Sequence, residues 1–206
     1  YKLLKNQGLQ IEYPLSQTCC GQPMANSGCS KDVKKLAIEF VKTFKDFDYI
    51  VAPSGSCVSM VKEHYAEFFD NDKDYNKVKA SIYEVCEFLH DIIKIENINF
   101  DISFPFKVGV HNSCHGHRVL KLATASELNI PYNSKLKNLL NKINDIEMVT
   151  LKREDECCGF GGTFSVAEEA ISVAMGKDRI KDHLNSSAQI ITGADMSCLM
   201  HMDGII

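Results

Sequence analysis

The feature that most constrains this chain is a repeat built on cysteine. Cys19-Cys20-Gly21 recurs as Cys157-Cys158-Gly159, and a shift of 138 residues lays IEYPLSQTCCGQP on VTLKREDECCGFG with both cysteines in register. At a shift of 141 residues, YIVAPSGSC ending at Cys57 falls on IITGADMSC ending at Cys198. Such self-similarity means that one supersecondary unit is used twice. The chain therefore reads as two repeats, 1–104 and 105–206, parted near Asn97–Pro105. In the second, FKVGVHNSC brings in Cys114, 43 residues ahead of Cys157, whereas the same step back from Cys19 falls before residue 1. The expectation is a first repeat truncated at its N-terminus by roughly 25–35 residues, holding a strand, a helix and one more cysteine.

Within each repeat, short β-branched runs alternate with amphipathic ones. Strands are expected at Gln10–Tyr13, Tyr49–Ala52, Lys107–His111, Glu147–Leu151 and Gln189–Thr192. Val33, Leu36, Ala37, Phe40, Val41 and Phe44 trace one helical face, and Val78, Ile82, Val85, Cys86, Leu89 and Ile92 trace another. This alternation predicts an α/β fold made of Rossmann-like three-layer units with a mainly parallel sheet.

In an open α/β sheet the carboxyl ends of neighbouring strands converge on one rim, where ligands bind. Three strand ends can thus gather Cys114, Cys157, Cys158 and Cys198, and the first repeat offers Cys19, Cys20 and Cys57. Four thiolates suit zinc or an iron–sulfur cluster by ligand type. Adjacent cysteines project in different directions and chelate a single tetrahedral ion poorly, so the doublets favour a cluster, with [4Fe–4S] the expected type and Zn²⁺ the alternative. Gly21 and Gly159 permit a sharp turn beside the thiols. Gly161 and Gly162 lead into Ser165-Val166-Ala167-Glu168, a capping-box pattern opening a helix, and Ser30 is placed to cap the helix from Lys31. Backbone N–H groups at such turns favour anionic ligands and tune redox potential.

Other residues near these cysteines admit two readings. His111, His115, His117 and His201 flank Cys114 and Cys198; packing is the ordinary role, while a ligand, a proton donor or a hydrogen bond to sulfur is the functional one. His115 and Asp195 are extra ligand candidates, Asp195 standing three residues before Cys198 as Ser54 stands before Cys57. Cys86 lies on an apolar face and reads as core, and Cys29, without a counterpart, as a free thiol. Nucleophilic catalysis by Cys114 with a neighbouring histidine is the competing chemistry, but it leaves both doublets unexplained.

Composition narrows the setting. Nine cysteines in 206 residues, with no secretory pattern in YKLLKNQGLQ, point to a reducing cytoplasm in which clustered thiols bind metal. A net charge of −4 without basic blocks argues against nucleic acid, and no apolar run reaches the roughly 18 residues a bilayer requires. GFGGTF lacks the spacing of a dinucleotide fingerprint.

Through QTCCGQPMANSG, DYIVAPSGSCVSMV, HNSCHGHR and ECCGFGGTFSV the sequence resembles the cysteine-rich CCG-domain family, to which the cysteine-rich component of heterodisulfide reductase and the iron–sulfur component of glycolate oxidase belong. The resemblance implies an iron–sulfur electron-transfer subunit of an L-lactate-oxidising complex, acting in oxidation of L-lactate to pyruvate. Its implied partners are a ferredoxin-like iron–sulfur subunit and a third subunit. A zinc-stabilised scaffolding subunit and a thiol redox protein of the heterodisulfide reductase type are the alternatives. The family's Cys-x-x-Cys has lost its first cysteine in both repeats, to Ser54 and Asp195, which leaves at most four thiolates per site. Neither the non-cubane cluster nor heterodisulfide cleavage is carried over from that branch.

Overall fold

Val33, Ala37, Val41 and Phe44 recur at helical spacing, and all four are buried along one face of the Ser30–Phe44 helix. That face packs on a two-stranded parallel ladder of β1 (Ile50–Ala52) and β2 (Ile82–Glu84). The computed structural model describes residues 1–98 and 100–206. Next come β3 (Phe100–Ser103) and β5 (Ile143–Asn144), parallel with a shifted register. The second half centres on β4 (Lys107–His111), flanked by β6 (Glu147–Met148) and β7 (Ile190–Gly193), all parallel. The protein is thus α/β. Val108 and Val110 are fully enclosed, as a central parallel strand requires.

Two clusters form the core. The larger joins Val33, Val58, Tyr65 and Ile82 to Val110, Leu122, Leu139 and Ala194, so it crosses residue 104. A smaller one holds Cys158, Ile180 and Met202, with Phe160, Ile191 and Cys198 against it. Among the described residues no helix is long and apolar enough to cross a membrane.

Four local expectations are corrected. Gln10–Tyr13 forms no strand; Tyr13 is exposed and Glu12 and Tyr13 line a cavity, since a short β-branched run holds an extended ladder only with a partner edge. The apolar series from Val78 to Ile92 is not one helix. Lys73–Ser81 ends at Ile82, which enters β2, and Glu84 then caps a new helical turn at Val85–Glu87. Pairing with β1 overrides the helical period there. Ser165 makes no capping box: its hydroxyl donates to the Gly162 carbonyl at 2.8 Å, inside a helical turn that spans Phe164–Ala167. Ser30 is the first residue of its helix rather than its cap, a place taken by Cys29.

Candidate metal centre

The rim at the carboxyl ends of β4 and β7 collects the second thiol set. Beyond His111, the last residue of β4, the chain turns at Cys114 into a wide helical turn, His115–Val119. β7 ends at Gly193, and Cys198 sits in the first turns of the Met196–Asp203 helix. The segment after β6 runs over the same rim to Cys157 and Cys158. The four sulfurs form a string of contacts: Cys114 with Cys157, Cys157 with Cys158, and Cys158 with Cys198. Cys158 is buried; the other three are partly so.

The thiols are electrostatically unequal. Cys157 accepts from the Cys114 and Cys158 thiols and, at 3.3 Å, from the Gly159 N–H, and is held well below the usual thiol range. Cys114 and Cys158, which donate to it, are pushed up by that hydrogen bond and by burial. The Gly159 N–H reaches sulfur because the residue adopts φ of +89°, and a Cβ there would meet the Ser172 carbonyl at 2.6 Å. Ser172 in turn donates to the Gly159 carbonyl at 2.8 Å and contacts His201 at 3.3 Å. Gly161 and Gly162 also have positive φ, and Gly162 lies by the Asn26 side chain.

The first thiol set repeats this geometry. Gly21, at φ +83°, directs its N–H to Cys19 Sγ at 3.4 Å, and Tyr65 donates to the Cys20 carbonyl at 2.8 Å. The Cys20 thiol donates to Cys57, raising Cys20 and pulling Cys57 down to about 6 with help from Ser54 and Ser56. A cavity of about 610 Å³ opens beside Cys19, Cys20 and Cys57, walled by Phe40, Phe44 and Ile82. Cys29 is exposed, and Cys86 is buried in the larger core cluster. All nine cysteines are free.

The two sets meet at Asp195. Ser54 and Asp195 face each other in an antiparallel bridge, and the Gly55 N–H donates to the Ala194 carbonyl at 2.9 Å. One Asp195 oxygen accepts from the Ser56 N–H at 2.7 Å; the other accepts from the Ser197 N–H at 3.1 Å and the Ser197 hydroxyl. Asp195 therefore caps the helices bearing Cys57 and Cys198 at once, with both oxygens occupied. His115 places its ring 3.3 Å from the Gln22 amide and stays within reach of the Asp195 and Cys157 charges, while burial lowers its pKa.

His111 takes the place expected for His115. Among the described residues, His111, Cys158 and Cys198 bring their ligand-type atoms within 4.8 Å of one another. Behind His111 stands Arg179, fully buried, which donates from Nε to His111 Nδ1 at 3.2 Å and pairs with Asp182 at 3.0 Å. Burial and the Arg179 charge lower His111 to about 3, so the ring is neutral near pH 7. Sequence reading missed Arg179. Its signal is a helix, Glu169–Asn185, that buries Ser172, Arg179, Asp182 and His183 in place of an apolar stripe.

Both thiol sets and the glycine turns between them fall within segments, 1–62 and 108–203, that match the CCG family of cysteine-rich domains. The chain belongs to this family. It is also similar to proteins named Lactate utilization protein A. That of Oceanobacillus iheyensis is 36% identical over 207 residues, spanning 98% of this chain and 80% of the relative. That of Geobacillus thermodenitrificans is 37% identical over 209 residues, spanning 100% and 82%. The Macrococcus caseolyticus protein is 36% identical over 207 residues, with 98% and 79% covered. Membership fits the clustered cysteines and histidine, which are of metal-binding type.

Proposed function

We propose that this CCG-family chain is an iron–sulfur electron-transfer subunit in lactate utilisation, serving oxidation of L-lactate to pyruvate with companion subunits in a reducing cytoplasm. The observation that carries this reading is the contiguous string of four thiols, Cys114, Cys157, Cys158 and Cys198, drawn together on one rim of a parallel sheet. Support for the lactate assignment comes from the relatives named Lactate utilization protein A.

The donor set fits a cluster better than a single ion. Around one tetrahedral zinc at about 2.3 Å, all four sulfurs lie within about 3.8 Å of one another. Here contact runs from each sulfur to the next, and the three-atom group within 4.8 Å takes its third member from His111. The turn at Gly159 adds an N–H donor to sulfur, and Cys157 forms a thiolate readily. When bound, such a cluster accepts and returns single electrons. Cys19, Cys20 and Cys57 form the corresponding thiols of the first repeat, within a division at 1–104 and 105–206 that the two family-matching segments support. Gly21, Gly159, Gly161 and Gly162 are the turn residues of the two sites.

Anaerobic purification with companion subunits, followed by iron and sulfide analysis and EPR, tests the proposal. Stoichiometric iron and sulfide, lost in Cys158→Ser together with lactate-dependent reduction, are expected. Iron-free protein that supports lactate oxidation, or colourless protein with stoichiometric zinc, refutes it.

A further inference from the structure

The thiol site is backed by a buried cation that ligand counting does not explain. Arg179 is the bulkiest fully buried side chain among the described residues. Removing a guanidinium from water costs several kcal/mol unless it is paired and hydrogen-bonded. Arg179 offsets that cost in part: Nε and Nη1 reach His111, the Arg153 carbonyl and Asp182, while Nη2 is buried without a partner among the described residues.

The contact with His111 has a chemical consequence. Arginine Nε always bears hydrogen and never accepts, so His111 Nδ1 must be the acceptor. A neutral imidazole has one N–H, and with Nδ1 accepting, that hydrogen lies on Nε2. His111 Nε2 is buried and has no hydrogen-bond partner among the described residues. The same ring is the one packed against Cys158 and Cys198. A nitrogen carrying hydrogen cannot ligate a metal, but it can donate to sulfur. Gly193, paired with His111 across β4 and β7, keeps this corner open, since a Cβ there would meet the His111 carbonyl at 2.7 Å.

We infer that Arg179 is a positioning residue that locks His111 as an N–H donor to the sulfurs of the Cys158–Cys198 site, making His111 a tuning group and not a metal ligand. The inference rests on the cluster reading above. An N–H donated to sulfur favours the more negative, reduced state of a thiolate-bound group and so raises its reduction potential. It also strengthens retention of the group, as outer partners of metal sites do.

Two measurements on the full chain test this. In metal-free, thiol-reduced protein with ¹⁵N-labelled histidine, long-range ¹H–¹⁵N correlation should show His111 with hydrogen on Nε2; hydrogen on Nδ1 overturns the inference. This needs no variant and no metal. After anaerobic reconstitution, iron and sulfide are counted and the potential is followed by EPR in wild type, His111→Gln and His111→Phe. The phenylalanine variant should titrate at lower potential and lose iron to a chelator roughly 10–100-fold more readily. Glutamine, which keeps an N–H donor, should restore both towards wild type. Equal potential and equal retention in wild type and His111→Phe overturn the inference. Wild type that takes up no iron defeats the cluster reading instead, and leaves the tautomer result standing separately.

Discussion

At the scale of single residues, the two Cys-Cys-Gly turns share a conformation and differ in surroundings. Gly21 and Gly159 both have strongly positive φ, which costs an L-residue about 1–2 kcal/mol. A Cβ at Gly21 meets the flexible end of Leu36 at 3.3 Å, whereas at Gly159 it meets the Ser172 carbonyl at 2.6 Å and Met175 Cβ at 2.7 Å. Gly21→Ala should therefore destabilise the chain by about 1–2 kcal/mol and Gly159→Ala by roughly 2–4 kcal/mol, adding overpacking to strain. Urea unfolding midpoints check the order; equal losses would show that the Ser172 contact relaxes freely. The glycines were legible from sequence as turn formers. Their inequality was not, because it depends on a helix that begins ten residues later.

Among elements, helix caps carry the unusual chemistry. Asp195 closes the N-termini of two helices far apart in the chain, Gly55–Ser59 and Met196–Asp203, so Asp195→Ala removes acceptors from both and should cost about 1–3 kcal/mol. Asp195→Asn keeps one acceptor and should cost less; a variant as stable as wild type would contradict the double cap. Glu84 is a second such residue, buried at the end of β2 and accepting from the Cys86 N–H at 2.6 Å. Burial raises its carboxyl from 4.5 to about 7. The folded chain thus holds this proton more tightly than the unfolded chain does. Its contribution is full below about pH 4.5, declines as pH rises to about 7, and totals at most about 3 kcal/mol. Glu84→Gln should flatten this part of the stability curve between pH 5 and 7, measured by chemical denaturation; an unchanged slope assigns it to other groups. The break of the Val78–Ile92 series belongs here too. Its 3.6-residue period was visible, but Ile50, the β1 residue that pairs with Ile82, is 32 residues away.

For the molecule as a whole, the site is a junction rather than a property of either half. The larger core runs across residue 104, and the Ser54–Asp195 bridge ties the turn before Cys57 to the turn before Cys198. Loading the thiols should therefore stabilise the entire chain, because a ligand that binds only the folded state adds its binding energy to folding. Thermal unfolding of reconstituted protein should move down on anaerobic chelation, and Cys157→Ser should reproduce that fall. Cys29→Ser, at an exposed thiol outside both sets, should leave the unfolding temperature and iron content unchanged. A similar loss from Cys29→Ser would place that cysteine in the site.

The sequence by itself determined the class of fold and marked the paired cysteines as the candidate ligands, because repeat period, strand alternation and cysteine doublets are local patterns. It also marked Cys86 as core and Cys29 as peripheral. Only the tertiary structure decided how polar neighbours are used: Asp195 as a shared cap, His115 beside Gln22, and His111 against the thiols with Arg179 behind it. Those roles depend on which atoms a buried group meets across the chain. For a polar side chain, the partner that replaces water sets its function, and that partner lies 68 residues away for His111 and 139 for Asp195.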